Sequence, residues 1–505
     1  MQHRPTGAPA ALLTLALSLA APGCGGTPRV DAPEAPRSSP EPSSPRSAGA
    51  PAPQAPAAAR TPAPLGESER ARYLESFDHV WSTVRDKHWD PELGGVDWDA
   101  RRAELRPELE RAKSAEDARE VLNRLLGTLG QSHFGVFPPE VYAELEGDES
   151  AEEEPAPAEP SAGGSRSVTV RPGEKVEIGG SRPARNRDGD GEIGFDIAVI
   201  GDAAVVSRIV PRSPATRTGV RLGWILTEID GRPVERTIER FRQGKEHGGE
   251  LELMLRYAIL ERLRGDPGEE AELLFVDGRG NPVPVKLTLD PPRGELFHFG
   301  HMPPMAVDWQ LEREGEVAYF RLSAFFDPAR VMPALREFVE QNLDATGFII
   351  DLRGNPGGIG FMANGICGYF VDEAGKSLGK MFLRDGELMF GIFPQATTFS
   401  GPLAVLIDGG SASTSEILAG GLRDIGRARL FGTRTAGAAL PSIFERLPSG
   451  DGFQYAIANY VSVGGSVLEG SGVAPDVEVR LDRSTLLEGS DPVVEAARRW
   501  ISEQG

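Results

Sequence analysis

A serine at position 413 lies in a turn of small residues between two segments that predict regular structure. The apolar segment Leu403–Ile407 predicts a buried strand, and residues 415–425 predict a helix. A hydroxyl in such a turn lies at a helix N-terminus, where free backbone N–H groups and the helix dipole favour a developing negative charge. The chemistry predicted for Ser413 is therefore nucleophilic attack. Ser411 and Ser415 flank it and are alternatives, although the spacing to residues 432–435 favours Ser413.

The elements around this turn alternate between strand and helix patterns over the last 200 residues. Strands are predicted at 317–322, 347–352 and 403–407, and helices at 328–342, 360–370 and 415–425. Strands that alternate with helices in this way indicate an α/β core with a largely parallel sheet. Two amphipathic helices are predicted earlier, the second of which is stopped by Gly130. Between them and the core, residues 193–289 predict several strands and one long helix, residues 239–265.

Composition bounds the remaining possibilities. A chain of 505 residues implies two to four domains. The formal net charge of -21 argues against a nucleic-acid partner, because nucleic acid is itself strongly negative. The sequence has two cysteines, Cys24 and Cys367. If Cys24 is modified as described next, no internal disulfide can form, and Cys367 is expected to be a small buried apolar residue.

The N-terminal residues predict export. An apolar run over residues 8–21 is followed by Pro22, Gly23 and Cys24, which resembles a bacterial lipoprotein cleavage box. Residues 1–24 are thus predicted to be a signal peptide with Cys24 as the lipidation site, which would anchor the protein to a membrane. The alternative is a cleaved signal with an incidental cysteine. Residues 25–65 predict a disordered tether rich in Pro and Ala, and residues 143–190 an acidic disordered insertion.

Three strings, in order, resemble motifs of the tail-specific (C-terminal processing) and tricorn-core serine peptidases. They are residues 348–358, 411–416 and 472–477. The resemblance implies a multi-domain α/β protein. It consists of an N-terminal helical domain (residues 66–142), a PDZ-like β-rich domain (191–292) and an α/β peptidase core of the ClpP/crotonase type (293–505). It also implies a serine endopeptidase that acts on extended polypeptides.

The resemblance offers two ways to activate the serine. Tail-specific members use a lysine, but Ala438 occupies that position here, and alanine cannot accept a proton. Lys376 and Lys380 are the nearest alternatives in sequence and are expected to be surface charges. The tricorn-like branch uses histidine and glutamate, and its positions are filled here by His133 and Glu469.

We therefore assign Ser413 as nucleophile, His133 as general base and then acid, and Glu469 as the residue that orients the imidazole. Ser132 is expected to help position the histidine or Glu469. By the same resemblance, the backbone N–H groups of Gly358 and Thr414 would hold the oxyanion.

Residues 191–292 resemble a PDZ domain, which binds the C-terminus of a peptide as an added strand. The backbone of Ile193, Gly194 and Phe195 would then bind the terminal carboxylate. Trp224 stands where that family usually has an acidic residue, and the 239–265 helix is long. The alternative is a domain that serves only as a structural arm or a lid.

The predicted function is a lipid-anchored serine endopeptidase of the cell envelope, with a polypeptide substrate. No cofactor is predicted, because the sequence has no glycine-rich phosphate loop and no paired Cys/His spacing that would bind a metal. One alternative is a catalytically inactive scaffold whose PDZ-like domain and groove bind envelope proteins. Another keeps hydrolysis but moves it to small esters or amides.

Overall fold

The computed structural model describes residues 65–138, 189–242, 249–293, 296–297 and 306–504. Several predictions lie outside these residues: the signal peptide, the lipidated Cys24, all of the tether except Leu65 and all of the acidic insertion except residues 189–190. In the part that is described, no helix is both long enough and apolar enough to cross a bilayer.

The N-terminal region is helical, as predicted. It consists of α1 (Glu67–Lys87), α2 (Trp98–Glu110) and α3 (Ala115–Gly127), followed by the short strand β1 (Gly135–Phe137). Ser114 and Asp117 form a reciprocal capping box at the start of α3. The apolar faces of these helices do not pack only on one another, because their core cluster includes Leu447 and Phe453 from the C-terminal part of the chain.

The middle region is a mostly antiparallel sheet with three helices. Its elements are β2 (Phe195–Ile200), β3 (Ala203–Ile209), α4 (Pro214–Thr218), β4 (Ile225–Ile229), β5 (Arg232–Pro233), α5 (Glu235–Arg242), α6 (Gly249–Glu261), β6 (Glu270–Val276) and β7 (Pro282–Thr288). The strand order is β2-β3-β4-β6-β7, with β5 paired to β4, so β2 lies at an edge. The single helix predicted over residues 239–265 is wrong: α5 ends at Arg242 and α6 begins at Gly249. The sequence has glycines at positions 244, 248 and 249, and glycine is a poor helix former.

The C-terminal region contains the α/β core. Its elements are β8 (Trp309–Glu314), β9 (Val317–Leu322), α7 (Pro328–Gln341), β10 (Gly347–Asp351), α8 (Gly360–Cys367), β11 (Ser377–Leu383), β12 (Gly386–Gly391), β13 (Leu403–Ile407), α9 (Thr414–Asp424), β14 (Arg429–Gly432), β15 (Ser442–Arg446), β16 (Gly452–Ala456), β17 (Ala458–Ser462), β18 (Val477–Glu478), α10 (Arg483–Leu487) and α11 (Pro492–Ser502). The main sheet has the order β18-β14-β13-β10-β9-β8 and is parallel except for the β8–β9 pair. The mixed helix and sheet, multi-domain fold predicted from the sequence is confirmed.

The central strands of this sheet are buried on both faces. All five residues of β10 and all five of β13 are buried, and Ile350 of β10 is paired with Val405 of β13. A parallel strand covered on both sides is nearly continuous in apolar residues, which is why the sequence predicted both strands well. Both strands lead at their carboxyl ends into the loops that build the candidate site.

Strand β1 joins the N-terminal helices to the core. It pairs in antiparallel fashion with β16, with Gly135 opposite Gln454 and Phe137 opposite Gly452. The residues just before β1 are thereby fixed relative to a sheet more than 300 positions further along the chain. This pairing determines the position of His133.

A buried ionic network joins the middle region to the core. Asp196 on β2 accepts hydrogen bonds from Arg256 on α6 at 2.7 Å and from Arg321 on β9 at 3.2 Å. Burial by itself would raise the pKa of Asp196, but Arg256, Arg321 and Arg208 lower it to about 2. Arg321 in turn lies 3.6 Å from Asp351 at the end of β10. Breaking one partner of such a buried pair costs about 3–5 kcal/mol, so this contact holds α6 against the core.

Candidate active site

The turn that carries Ser413 follows β13 and leads directly into α9. Asp408 fixes its start by accepting hydrogen bonds from the amides of Gly354 and Gly410, at 2.8 and 2.9 Å. Ser413 itself has φ 59° and ψ -115°, outside the regions that non-glycine residues normally occupy. Such strain is retained only where the surroundings hold it in place, and it is concentrated at functional sites.

The three serines of this turn differ in the partners of their hydroxyl groups. Ser411 Oγ donates to the carbonyl of Leu352 at 2.8 Å, and Ser415 Oγ donates to the carbonyl of Asn355 at 2.9 Å. Ser413 Oγ is buried, and the structure records no hydrogen-bond partner for it. Ser411 and Ser415 therefore serve the turn, and only Ser413 has its hydroxyl free to react.

His133 lies in the loop between α3 and β1 and is 3% exposed. Its φ of 63° is in the left-handed region, which turns the ring away from the direction that an extended chain would give it. Burial lowers the pKa of His133 to about 4. The imidazole is therefore neutral at physiological pH, which is the form that can accept a proton.

A chain of hydrogen bonds connects His133 to Glu469. Nδ1 of His133 lies 2.6 Å from Ser132 Oγ, and Ser132 Oγ donates to Oε2 of Glu469 at 2.9 Å. Glu469 also accepts from the amide of Ser132 at 2.7 Å and from the amide of Ala439 at 3.0 Å. His133 and Glu469 are thus joined through Ser132 rather than directly, whereas the structure records no hydrogen bond between His133 Nε2 and Ser413 Oγ.

This chain of bonds fixes the tautomer of His133. An ionised carboxylate can only accept, so the Ser132 hydroxyl must donate to Glu469. Ser132 Oγ is then an acceptor toward His133, and the ring proton is on Nδ1. Nε2 is left with its lone pair, and it is a buried atom for which the structure records no hydrogen-bond partner. Two reactive atoms, His133 Nε2 and Ser413 Oγ, are therefore both buried and both without a recorded partner.

The predicted oxyanion residues lie beside the nucleophile. The hydroxyl of Thr414 donates to the carbonyl of Gly358 at 2.9 Å, which ties the two segments together. Gly358 and the preceding Gly357 both have φ values in the range that favours glycine, 136° and 105°. A Cβ on Gly357 would lie 2.7 Å from Cβ and 2.8 Å from Oγ of Ser413, so only glycine allows this approach.

The alternative lysines are on the surface. Lys376 pairs with Glu373 at 3.1 Å and Lys380 pairs with Glu387 at 2.8 Å, and both side chains are more than 40% exposed. Ala438, at the position of the lysine of the tail-specific branch, is buried. Lys376 and Lys380 are thus surface charges, as expected, and the absence of an activating lysine stays a prediction.

Helix α6 covers the candidate site. Leu253 forms an apolar cluster with Ala412, Ala436 and Ala438, against which Tyr257 packs. The opposite face of α6 packs into the middle region through Leu251, Leu255 and Ile259. This position of α6 over the site is not among the predictions from the sequence. The signal for it was two apolar stripes, each with four-residue spacing, on a single helix.

A second contact of α6 with the nucleophile turn is ionisable. The Glu252 carboxyl accepts from the amide of Gly409. Burial and the nearby Asp408 raise the pKa of Glu252, against the opposing effect of Arg256. The raised pKa favours the protonated form of Glu252 in this contact.

The predicted peptide-binding residues lie at the start of β2: Ile193 and Gly194 precede the strand and Phe195 is its first residue. Gly194 has φ 81°, and its carbonyl accepts from Ser213 Oγ at 3.1 Å and from the amide of Val210 at 2.9 Å. Ile193, Gly194 and Phe195 line a cavity of about 290 Å³ between the middle region and the core, next to Arg256 of α6. Binding of a peptide terminus here stays a prediction.

Within the described ranges, no group of three or more His, Cys, Asp or Glu side chains could bind a metal ion.

Comparison with known proteins places the chain. Residues 316–479 match the model of peptidase family S41, and residues 69–127 match the model of the tricorn protease C1 domain. Carboxyl-terminal-processing peptidase 3, chloroplastic, of Arabidopsis thaliana is 27% identical over 418 residues, which is 79% of this chain and 67% of the relative. Putative tricorn protease homolog 2 of Streptomyces coelicolor is 25% identical over 454 residues, which is 86% of this chain but 32% of the relative.

A solved structure shares the fold. The crystal structure of mature CPAF has a TM-score of 0.52 and 14% sequence identity, with 86% of this chain and 97% of that chain covered. Identity at this level shows the fold alone.

The α/β core with a serine at the head of a helix is that of a serine hydrolase. Residues 316–479 thus carry a peptidase family S41 domain and residues 69–127 a tricorn protease C1 domain, and the predicted resemblance to the tail-specific and tricorn-core serine peptidases is confirmed. The S41 match contains Ser413 and Glu469, whereas His133 falls outside both matched regions. The assignment of His133 therefore depends on its burial and its hydrogen bond to Ser132, and not on the matched regions.

Proposed function

We propose that this chain is an envelope serine endopeptidase that cleaves extended polypeptides through an acyl-enzyme on Ser413. His133 acts as base and then acid, and Glu469 orients it through Ser132. The observation that carries the proposal is the pair of buried reactive atoms, Ser413 Oγ and His133 Nε2, neither of which has a recorded hydrogen-bond partner. The tautomer that leaves Nε2 free is set by the Ser132–Glu469 contact.

The steps follow from these atoms. As Ser413 Oγ attacks the peptide carbonyl, its proton moves to Nε2 of His133. The imidazolium gains stabilisation from Ser132 and Glu469, while the amides of Gly358 and Thr414 hold the oxyanion. His133 then gives the proton to the leaving amine. Water activated at the same nitrogen hydrolyses the acyl-enzyme and regenerates Ser413.

The substrate class is inferred from the relatives. The Arabidopsis thaliana relative is named for carboxyl-terminal processing. We extend this to the present chain and propose a polypeptide whose C-terminus is bound at Ile193, Gly194 and Phe195. The adjacent strand β2 lies at the edge of its sheet, where a peptide can add as a further strand. The proposed location in the cell envelope, with a lipid on Cys24, depends on the sequence pattern of residues 1–24.

One observation favours the alternative of an inactive scaffold. Helix α6 packs over the site, and Ser413 is 0% exposed in this conformation. As a peptidase, the protein must move α6 to admit a substrate.

A fluorophosphonate serine probe separates the two functions. We expect covalent labelling of the purified chain that is lost in Ser413→Ala and His133→Ala but retained in the matched controls Ser411→Ala and Ser415→Ala. Turnover of casein, compared with turnover of a small ester, distinguishes a peptidase from an esterase. A wild-type chain that neither labels nor cleaves casein would show that the scaffold interpretation is correct.

A further inference from the structure

Glu416 is a buried carboxylate that no step of the proposed mechanism uses. It occupies the third position of α9, and its side chain is fully buried. The sequence explains an acid here by the favourable interaction with a helix N-terminus. Its contacts show a second role, because only one of its four donors belongs to the nucleophile turn.

The four donors join two separate segments. Oε2 of Glu416 accepts from the amides of Ser413 at 2.9 Å and Ala438 at 3.1 Å. Oε1 accepts from the hydroxyl of Thr435 at 2.6 Å and from the amide of Gly437 at 2.9 Å. One side chain thus connects the backbone of the nucleophile to residues 435–438.

The same segment binds the acid that orients His133. The amide of Ala438 donates to Glu416, and the next amide, that of Ala439, donates to Glu469 at 3.0 Å. The carbonyl of Gly437 also accepts from the amide of Gly470 at 2.8 Å. Consecutive amides therefore hold the two carboxylates, one on the side of the nucleophile and one on the side of the base.

We propose that Glu416 is a positioning residue that sets the distance and orientation of Ser413 relative to the His133–Ser132–Glu469 chain, through the backbone of residues 437–439. This inference depends on the proposed function. Residues 437–439 donate hydrogen bonds to Glu416 and to Glu469. The same backbone segment therefore positions both the nucleophile, Ser413, and the acid that is linked to His133. Misplacement of a reacting group by about 1 Å costs on the order of 100-fold in rate.

The donor set requires a carboxylate. An ionised carboxylate offers about four acceptor sites, and four donors converge on Glu416. Burial and the nearby Glu469 raise the pKa of Glu416 to about 7, against the hydrogen bonds from Thr435, Ser413 and Gly437, so the full donor set is satisfied only when the carboxyl group is ionised. A glutamine has one oxygen, so its amide nitrogen would meet either the amide of Gly437 or the amides of Ser413 and Ala438. The hydroxyl of Thr435, which accepts from the amide of Val473 at 2.6 Å, has a second lone pair for the glutamine nitrogen, but the amide of Gly437 can only donate, so that clash remains.

The test is a double-mutant cycle with Glu416→Gln and Ser132→Ala, measured with a peptide substrate and with the rate of inactivation by the serine probe. We expect Glu416→Gln to lower kcat by about 10- to 100-fold. We expect KM to change by less than about twofold, because substrate contacts are retained. Once Ser132→Ala has broken the relay, adding Glu416→Gln should lower kcat only a few-fold more.

The matched control is Asp476→Asn. Asp476 accepts a hydrogen bond from the amide of Leu430 on β14, and the loss of its negative charge should leave kcat unchanged.

Three outcomes would contradict the inference. The first is an unchanged kcat in a folded Glu416→Gln chain, and the second is a fall that multiplies fully with that of Ser132→Ala. If Glu416→Gln does not fold, Thr435→Val replaces it, and an unchanged kcat in that variant is the third. A wild-type chain without labelling or cleavage would overturn the proposed function as well, whereas an active wild type with an equally active Glu416→Gln overturns only this inference.

Discussion

The hydroxyl of Ser132 lies 2.6 Å from Nδ1 of His133, its neighbour in the chain. Adjacent side chains in an extended segment point to opposite sides, so this contact needs a turn. The left-handed backbone of His133, with φ 63°, provides it. Ser132 can then link Glu469 to the imidazole by hydrogen bonds, and Nε2 lies on the opposite side of the ring.

The relay predicts a graded loss of activity. Ser132→Ala removes the link between acid and imidazole and frees the ring to adopt the other tautomer, so kcat should fall by about 10²–10⁴-fold. Glu469→Gln should also lower kcat but leave residual turnover, because the histidine and the oxyanion amides remain. Peptide hydrolysis by each variant measures the two effects. Wild-type turnover in Glu469→Gln would show that this residue is not the orienting acid.

Because the imidazole of His133 is buried, we expect kcat/KM to fall at a lower pH than the ordinary pKa of histidine would give. His133 must be neutral to accept a proton, and burial lowers its pKa from 6.5 to about 4. The fraction of active base therefore falls only as the pH drops through about 4, so kcat/KM should stay high between pH 5 and pH 6.5. The profile of kcat/KM against pH tests this over the range where circular dichroism shows a folded chain. An acid limb centred near 6.5 would mean that the ring is hydrated in the active conformation.

The same group makes the folded state sensitive to acid. In the unfolded chain His133 has its ordinary pKa and binds a proton below about pH 6.5, whereas the folded chain does not until about pH 4. The contribution of His133 to stability is therefore present above pH 6.5 and is lost as the pH falls toward 4. Urea unfolding at several pH values should show a smaller decline over this window in His133→Gln than in the wild type.

Helix α6 predicts a variant with greater access to the site. Leu253 contributes the apolar contact that holds α6 on Ala412, Ala436 and Ala438. Leu253→Ala should weaken this contact by about 2–5 kcal/mol and populate a conformation in which Ser413 is exposed. The rate of labelling by the serine probe should rise. Leu255→Ala, on the other face of α6, is the matched control, because it loosens the middle region without touching the cluster over the site.

The surface lysines predict an absence of effect. Lys376 and Lys380 each pair with an exposed glutamate, and such pairs contribute about 0–1 kcal/mol. Lys376→Ala and Lys380→Ala should therefore cleave peptides at the wild-type rate. Loss of activity in either variant would point to a lysine base and would contradict the assignment of His133.

The sequence predicted some parts of this architecture well and others poorly. Strand β13 was placed at its observed bounds, because a buried parallel strand gives a short apolar run between turn residues. Strands β15, β16 and β17 were not predicted. β16 pairs with β1 and β17 pairs with β11, and pairing between remote strands leaves little local signal, whereas β15 pairs with its neighbour β16 in a hairpin.

The candidate site shows the same division. The residue types at Ser413, His133 and Glu469 could be chosen from strings in the sequence. Ser132 was expected to help position the histidine or Glu469, but its place as the link between the two could not be predicted, since it depends on one backbone angle at His133. The sequence also did not predict that α6 packs over the site. It predicts one helix over residues 239–265, and the second apolar stripe of α6 lies within that single helix.

The pairing of β1 with β16 has a consequence for the newly made protein. The histidine is synthesised about 280 residues before the serine, as their numbers show, and it reaches its place only when a hairpin near the end of the chain closes against it. A partly synthesised polypeptide therefore carries the proposed base without the proposed nucleophile. Under the proposed mechanism, peptide-bond cleavage can begin only after the last third of the molecule has folded onto the first.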